Sequence, residues 1–156
     1  MKKLIGLLLC ITSFSTFANC IDLSGSYYAS PESCNGQSSA DHSYAGIWNL
    51  AKVEVGTTFK VEQLNCETIK ITSDTGSLRW DGAWNEGSRE QIIIKQTIGK
   101  EGLKVTGNNE IWSFPFDAIK TSFSRSLTLD KKGNLIAKWK RGRITSTGET
   151  CVFSRE

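Results

Sequence analysis

Residues 122–140 read SFSRSLTLDKKGNLIAKWK, and this stretch decides the fold class. Apolar residues recur in it with a period of two: Phe123, Leu127 and Leu129 before the centre, and Leu135, Ala137 and Trp139 after it. A period of two is typical of strands with one buried face. The central residues 130–133 (DKKG) have the composition of a type I turn with glycine in the left-handed position. The stretch therefore predicts an antiparallel hairpin.

The same alternation recurs along most of the chain. Phe59, Val61 and Gln63 share one phase, as do Ile69 and Ile71. Turn-forming groups at 74–76, 85–87 and 99–102 separate the apolar runs. No window carries a helical stripe long enough for a secure helix, although residues 116–121 could hold one helical turn. We predict an all-β antiparallel meander of about 8–10 strands, as a barrel or a sandwich. A barrel is favoured because closure removes exposed edges.

Length and composition exclude several classes of protein. The chain has 156 residues, of which 38% are hydrophobic and 22% are charged. That apolar fraction is too high for a disordered chain, and no apolar run is long enough for a membrane helix. These values predict one small globular domain.

The first eighteen residues resemble a signal sequence for export. Lys2 and Lys3 precede an apolar stretch that ends in small residues around Phe17, as in a bacterial signal peptide cleaved after Ala18. Neither Cys10 nor Cys20 has the preceding residues of a lipoprotein site. Removal of residues 1–18 lowers the net charge from +3 to about +1. Such a domain lacks the broad positive field that drives nucleic-acid binding, so no nucleic-acid partner is expected.

Four cysteines remain after cleavage, namely Cys20, Cys34, Cys66 and Cys151. An even number in an exported chain predicts disulfides, with three possible connectivities. We favour Cys20–Cys34, which would tie an N-terminal arm to its loop, and Cys66–Cys151, which would join an early strand to the last. The predicted organisation is a signal peptide at 1–18, a disulfide-tied arm and loop at 19–43, and a β-barrel domain at 44–156. No metal site is predicted, because paired-ligand spacing is missing.

Two short motifs resemble a known group of barrels. Gly25-Ser26-Tyr27 and Gly46-Ile47-Trp48 are similar to the Gly-x-Trp pattern near the first strand of the lipocalin/calycin group. The resemblance covers the architecture of residues 44–155. It implies a disulfide from a middle strand to the C-terminal segment, as Cys66–Cys151 would be. It also implies a basic residue that packs on the tryptophan, as Arg141 or Arg143 could. The sequence departs from the group by lacking a helix after the last strand.

The aromatic residues suggest a candidate ligand site. Many occupy the apolar phase of their strands, where they either fill the core or line a cavity. Gln63, Gln96 and Arg125 share that phase, and a buried arginine is costly unless paired. Arg125 could meet a ligand carboxylate or stack on a tryptophan. The candidate ligand-binding residues are Trp80, Trp84, Trp112, Phe114, Phe123, Arg125 and Trp139.

Catalytic motifs are missing from the sequence. Asp41-His42-Ser43 contains the only histidine, and three consecutive residues cannot form a converging triad. We therefore predict no enzymatic activity and no cofactor. The predicted function is a periplasmic or secreted non-enzymatic protein that binds a small apolar or amphipathic ligand. The alternatives are a protein-binding module, such as an inhibitor of a lysozyme-type hydrolase or an envelope factor, and a structural surface protein. A basic cluster, formed by Lys138, Lys140, Arg141 and Arg143, could touch an anionic partner.

Overall fold

The computed structural model describes residues 19–36, 44–46, 51–73, 78–80, 91–113, 116–142 and 147–156. These residues form strands and turns, and no helix occurs among them. The strands are β1 (Gly25–Tyr28), β2 (Cys34–Gly36), β3 (Tyr44–Gly46), β4 (Ala51–Glu54), β5 (Thr58–Asn65), β6 (Thr68–Ser73), β7 (Leu78–Trp80), β8 (Gln91–Lys95), β9 (Ile98–Gly99), β10 (Gly102–Ser113), β11 (Phe116–Leu129), β12 (Leu135–Gly142) and β13 (Thr147–Arg155).

Most strands join one antiparallel sheet in the order β8-β6-β5-β1-β13-β12-β11-β10-β9, with β2 also paired to β13. A second sheet has the order β3-β4-β7. The predicted all-β antiparallel architecture is confirmed. The strand number exceeds the prediction because short strands such as β2, β3 and β9 have no alternation to reveal them. The predicted helical turn at 116–121 is wrong, since these residues belong to β11.

The two ends of the main sheet are consecutive in the chain. Only Gln96 and Thr97 separate β8 from β9. Among the described residues no ladder joins these two strands to each other, so the sheet is not closed into a barrel by pairing. The described part of the chain contains no helix that could span a lipid bilayer.

The hairpin predicted from residues 122–140 is confirmed. Leu127 faces Ala137 and Leu129 faces Leu135 in the β11–β12 ladder. The Asp130 carboxylate accepts hydrogen bonds from the backbone N–H groups of Lys132 and Asn134. Gly133 has φ +83°, a left-handed conformation that side chains other than glycine rarely adopt. Local turn chemistry and alternation therefore agree on one register.

The core lies on the apolar phase of the main sheet. Phe59 and Val61 of β5 are buried, as are Ile69 and Ile71 of β6, and the polar residues between them are partly or fully exposed. The ring of Phe59 packs edge-on against that of Phe153, with 5.0 Å between centroids. Each such side chain contributes roughly 1.5–3 kcal/mol by leaving water. Alternation therefore identifies the core face correctly on these strands.

The N-terminal segment differs from the predicted arm. Its residues 25–28 form β1, which is inserted between β5 and β13 in the main sheet. Tyr27 is fully buried there, and its hydroxyl donates a hydrogen bond to the Leu23 carbonyl at 2.9 Å. The burial of this aromatic ring explains why the segment joins the sheet.

All four cysteines form disulfides, but the predicted pairing is wrong. The bonds are Cys20–Cys66 and Cys34–Cys151. Cys34 stands directly opposite Cys151 in the β2–β13 ladder, with 4.0 Å between Cα atoms. The segment before β1 reaches the end of β5, which brings Cys20 to Cys66 with 5.7 Å between Cα atoms. Non-local strand order therefore decides the pairing.

The burial of Tyr27 predicts a loss of stability at alkaline pH. Burial raises the pKa of the Tyr27 hydroxyl above 10.0, and the charge of Arg155 opposes part of the rise. The unfolded phenol ionises first as the pH rises through about 10, so the unfolded state binds fewer protons and the free energy of unfolding falls. In urea titrations at rising pH, Tyr27→Phe should reduce this fall and cost about 1 kcal/mol at neutral pH. Tyr28→Phe is the control, and an unchanged alkaline slope in Tyr27→Phe would contradict the assignment.

The two disulfides should differ in their contribution to stability. They close loops of 46 and 117 residues. On the chain-entropy model these loops correspond to about 4 and about 5 kcal/mol. Denaturant titration should therefore show the larger loss for Cys34→Ser with Cys151→Ser than for Cys20→Ser with Cys66→Ser. A non-reducing peptide map that links Cys20 to Cys34 would contradict the pairing itself.

Candidate functional site

The candidate site is a row of side chains across three neighbouring strands. Arg125 of β11 faces Trp139 of β12 in the ladder, and Trp139 in turn faces Glu149 of β13. Val105 of β10 extends the row on the other side of Arg125. Residues two positions apart on a strand share a face. Because Leu127, Ala137 and Cys151 are buried, the row lies on the core side of the sheet.

The row marks the place where the core meets solvent. Leu127, Ala137 and Cys151 form the adjacent layer and are 1–3% exposed. Arg125 and Trp139 are only half-buried, whereas Glu149 is 9% exposed. Phe123 lies two residues before Arg125 on β11 and therefore shares its face. We name the set of Phe123, Arg125, Trp139 and Glu149 the mouth row.

Polar and aromatic contacts hold the mouth row. Trp139 Nε1 donates a hydrogen bond to Glu149 Oε2 at 3.2 Å. The Arg125 guanidinium carbon lies 5.0 Å from the centroid of the Phe123 ring, which is a cation–π contact. Burial removes water from the guanidinium and lowers the pKa of Arg125. The site therefore combines an oriented indole, a partly desolvated cation and a buried carboxylate.

The opposite face of the same strands carries a cavity of about 590 Å³. Its lining includes Arg125, Trp139 and Glu149 of the mouth row as well as the residues that alternate with them. Because successive side chains of a strand point to opposite faces, the alternating residues form the part of the lining that faces away from the core. A second cavity of about 560 Å³ adjoins it and shares Thr106, Ser124 and Lys140. The outward lining residues of the first cavity are Asn35, Lys104, Thr106, Ser124, Ser126, Lys138, Lys140, Gly148 and Thr150.

The structure brings together three of the predicted ligand-binding residues, namely Phe123, Arg125 and Trp139. Trp80 and Trp112 belong to β7 and β10, and their side chains lie outside the described part. Trp84, Phe114 and the segment 41–43 with His42 lie outside the described residues, as does Arg143. Arg141 is in β12, with its side chain outside the described part.

Sequence reasoning missed Glu149 as a site residue. It shares the phase of two buried residues of β13, Cys151 and Phe153. An acidic residue on an apolar phase was the signal that could have identified it, since a buried carboxylate needs a partner. The indole of Trp139 is such a partner.

The two glutamines predicted beside Arg125 have other positions. Gln63 is buried, and its Oε1 accepts a hydrogen bond from Leu23 N at 2.9 Å. Its Nε2 donates to Cys20 Sγ at 3.3 Å, so Gln63 fastens the N-terminal segment to β5. Gln96 is exposed, which makes its predicted inward position wrong. The chain leaves the β8 alternation there, because Gln96 N donates to the Glu67 carbonyl.

Within the described part of the chain, one group of potential metal ligands occurs, and it includes Glu149 of the mouth row. Ligand atoms of Cys34, Glu149 and Cys151 lie within 4.8 Å of one another. The two sulfur atoms are joined in a disulfide, and metal binding by cysteine requires the thiolate. The disulfide therefore accounts for this cluster as a structural feature.

Comparison of the chain with protein-family models, with curated proteins and with solved structures found no match. The lipocalin-like resemblance therefore stays a prediction.

Proposed function

We propose that this protein is an exported, non-enzymatic binding protein for a small amphipathic ligand with an acidic group. The ligand would bind at the mouth row, with its apolar part against Trp139 and Phe123 and its acidic group at Arg125. The observation that supports this proposal is the half-burial of Arg125 and Trp139 directly beyond a fully buried apolar layer. Ligand sites commonly combine apolar walls with a few placed polar groups.

The mouth row has the chemistry that an amphipathic acid requires. A partly desolvated guanidinium attracts an anion more strongly than an exposed one, because fewer water molecules compete. The hydrogen bond from Trp139 to Glu149 fixes the orientation of the indole. A fixed aromatic surface loses less entropy when a ligand binds to it.

The proposal includes closure of the main sheet as a lipocalin-like up-and-down barrel. Its support is the chain order of the strands: β1, β5, β6, β8 with β9, β10, β11, β12 and β13 each follow their spatial neighbour, and β13 returns to β1. In this arrangement β8 and β9 act as one bent strand that serves both ends of the sheet. An eight-stranded barrel of this kind has an interior that can hold one small ligand.

Export through the signal peptide at 1–18 completes the proposal. Two disulfides are compatible with an oxidising compartment such as the bacterial periplasm or the extracellular space. The mature protein would begin at Asn19, after cleavage behind Ala18.

A protein-binding module, such as an inhibitor of a lysozyme-type hydrolase or an envelope factor, is the alternative function. Half-exposed Trp139 and Arg125 favour it, because tryptophan and arginine are enriched at the energetic centres of protein interfaces. Both functions use the mouth row, so the experiment must distinguish the size of the occupant.

Binding of dodecanoate and of dodecanol tests the proposed function. Both probes have the same chain, and only dodecanoate carries a charge. Arg125→Gln should weaken dodecanoate about tenfold, or ~1.4 kcal/mol, and leave dodecanol nearly unchanged. Trp139→Ala should weaken both probes, since both use the indole. Titration calorimetry measures these affinities, and Lys60→Gln, at an exposed position on β5, is the matched control for loss of a positive charge.

Native mass spectrometry of protein from the periplasm of the producing cell separates the two functions. A co-purified small acid supports the ligand-binding function. A stoichiometric complex with another protein, together with no binding of either probe, would overturn it in favour of the protein-binding module. Equal losses of dodecanoate binding in Arg125→Gln and Lys60→Gln would reject the role of Arg125.

Export can be tested on its own. The intact mass of the mature protein should correspond to a chain that starts at Asn19 with both disulfides formed. Replacement of Ala18 by Leu should block cleavage, because the signal peptidase requires a small residue at this position. A full-length chain in the cytoplasmic fraction would contradict export.

A further inference from the structure

The cavity on the face opposite the core has a composition unlike that of the mouth row. Its outward residues are lysines, hydroxyl residues, Asn35 and Gly148. We infer that this face, which we name the lysine groove, binds an acidic glycan chain. The inference goes beyond the proposed function, because the lysine groove and the mouth row occupy opposite faces of the same strands.

The ladder registers place three lysines around the groove. Lys138 and Lys140 occupy alternate positions of β12, which puts their Cα atoms roughly 7 Å apart. Lys104 faces Ser126, which faces Lys138, so Lys104 lies two strands away at roughly 10 Å. All three lysines are exposed. Three cations therefore surround a strip that runs along the middle of the face.

The strip between the lysines consists of small hydroxyl residues. Ser124 and Ser126 of β11 form its centre, and Thr106 lies beside them on β10. Thr150 adds a further hydroxyl on β13, beyond Lys138 of β12. At Gly148 an added Cβ would lie 2.6 Å from the Trp139 carbonyl oxygen, so only glycine fits this approach of β13 to β12. The floor is therefore low and offers hydroxyl donors and acceptors at the spacing of the strands.

Positive charge dominates this face. Neither Lys138 nor Lys140 makes an ion pair with another described residue. Lys104 pairs with Glu101, but both side chains are exposed, and such a pair contributes little. The carboxylate of Glu149 belongs to the core side of the sheet, where Trp139 holds it. Because the mature chain carries only about +1, these lysines form a local patch rather than part of a general positive charge.

The shape of the groove suits a chain rather than a single ion. The adjoining cavity extends it along β11 to Ser122 and along β12 to Gly142. The lining also runs from β10 across β11, β12 and β13 to Asn35 of β2, which is roughly 19 Å. Several monosaccharide units fit along such a surface, with their hydroxyls against the serines and threonines and their acidic groups beside the lysines.

Two other classes of polyanion, acidic proteins or peptides and single-stranded nucleic acids, fit the groove less well. Protein interfaces centre on aromatic and large apolar side chains, and the outward lining residues include none. A peptide strand would usually pair with a sheet edge, whereas the groove lies on a sheet face. Single-stranded nucleic acid binds through aromatic stacking platforms, which the outward residues also lack.

Titration of the mature protein with defined acidic glycans tests the inference. The probes are a decamer of galacturonate, which is carboxylated, and a heparin decasaccharide, which is sulfated, with maltodecaose as the neutral control. At least one acidic probe should bind and maltodecaose should not. The affinity should fall roughly 20- to 40-fold between about 50 and 200 mM salt, as expected when about three cations are involved. The acidic probe that binds more tightly indicates whether the glycan carries carboxylate or sulfate groups.

Charge-matched variants locate the binding site. Lys138→Gln with Lys140→Gln should weaken the better glycan at least tenfold. Lys60→Gln with Lys95→Gln removes the same charge from exposed positions on β5 and β8 and should change the affinity less than twofold. Both double variants should keep the melting temperature of the parent, because all four lysines are exposed.

Three outcomes would overturn the inference. They are no binding of either acidic glycan, equal losses in the two double variants, and tighter binding of a glutamate decapeptide or of oligo-dT than of the glycans. Arg125→Gln should not change glycan affinity by more than twofold, so a failure here is distinguishable from a failure of the proposed function at the mouth row.

Discussion

The main sheet depends on β13, because both edges of this strand are paired. β12 lies along one edge, and the other edge carries β2 at Cys151 and β1 at Arg155. The inward residues of β13 run from fully buried Phe153 through Cys151 to Glu149, where the core meets solvent. One strand therefore joins the N-terminal segments to the C-terminal hairpin and also contributes to the mouth row.

The register of β10 to β13 separates two kinds of chemistry. On these strands the core phase carries Arg125, Trp139 and Glu149, and the outward phase carries serines and lysines. A shift of one residue in any ladder would exchange the faces of that strand and bury Lys138 in place of Trp139. The apolar layer of Leu127, Ala137 and Cys151 prevents such a shift, because its exposure would cost several kcal/mol. The core thus determines which residues reach each face.

Local features of the fold could be predicted from the sequence, and long-range features could not. The 122–140 hairpin was predictable because alternation and the turn at Asp130 act within a few residues. The disulfides were not, because Cys34 meets Cys151 across 117 residues, and only the sheet order makes them neighbours. The place of β1 was missed because it also depends on pairing with distant strands. One buried tyrosine is only a weak local signal for it.

The candidate site was predictable to the same extent. The inward phase correctly grouped Arg125 with Trp139, because β11 and β12 are adjacent in the chain. The lysine groove needs β2, β10 and β13 as well, and their neighbourhood follows from pairing rather than from spacing. Lys138 and Lys140 were recognised as basic, but their relation to Lys104 and to the hydroxyl strip depends on two further ladders.

The disulfides also bear on the binding proposed for the mouth row. Cys34–Cys151 lies in the layer directly below the mouth row, and Glu149 lies within 4.8 Å of its sulfur atoms. A crosslink at this point restrains β2 against β13 next to Glu149, which in turn holds the Trp139 indole. The entropy of ordering these side chains is then lost during folding, and the proposed ligand would not have to order them. A small domain with half-exposed side chains at the end of its core can in this way keep a preorganised surface on each face of one sheet.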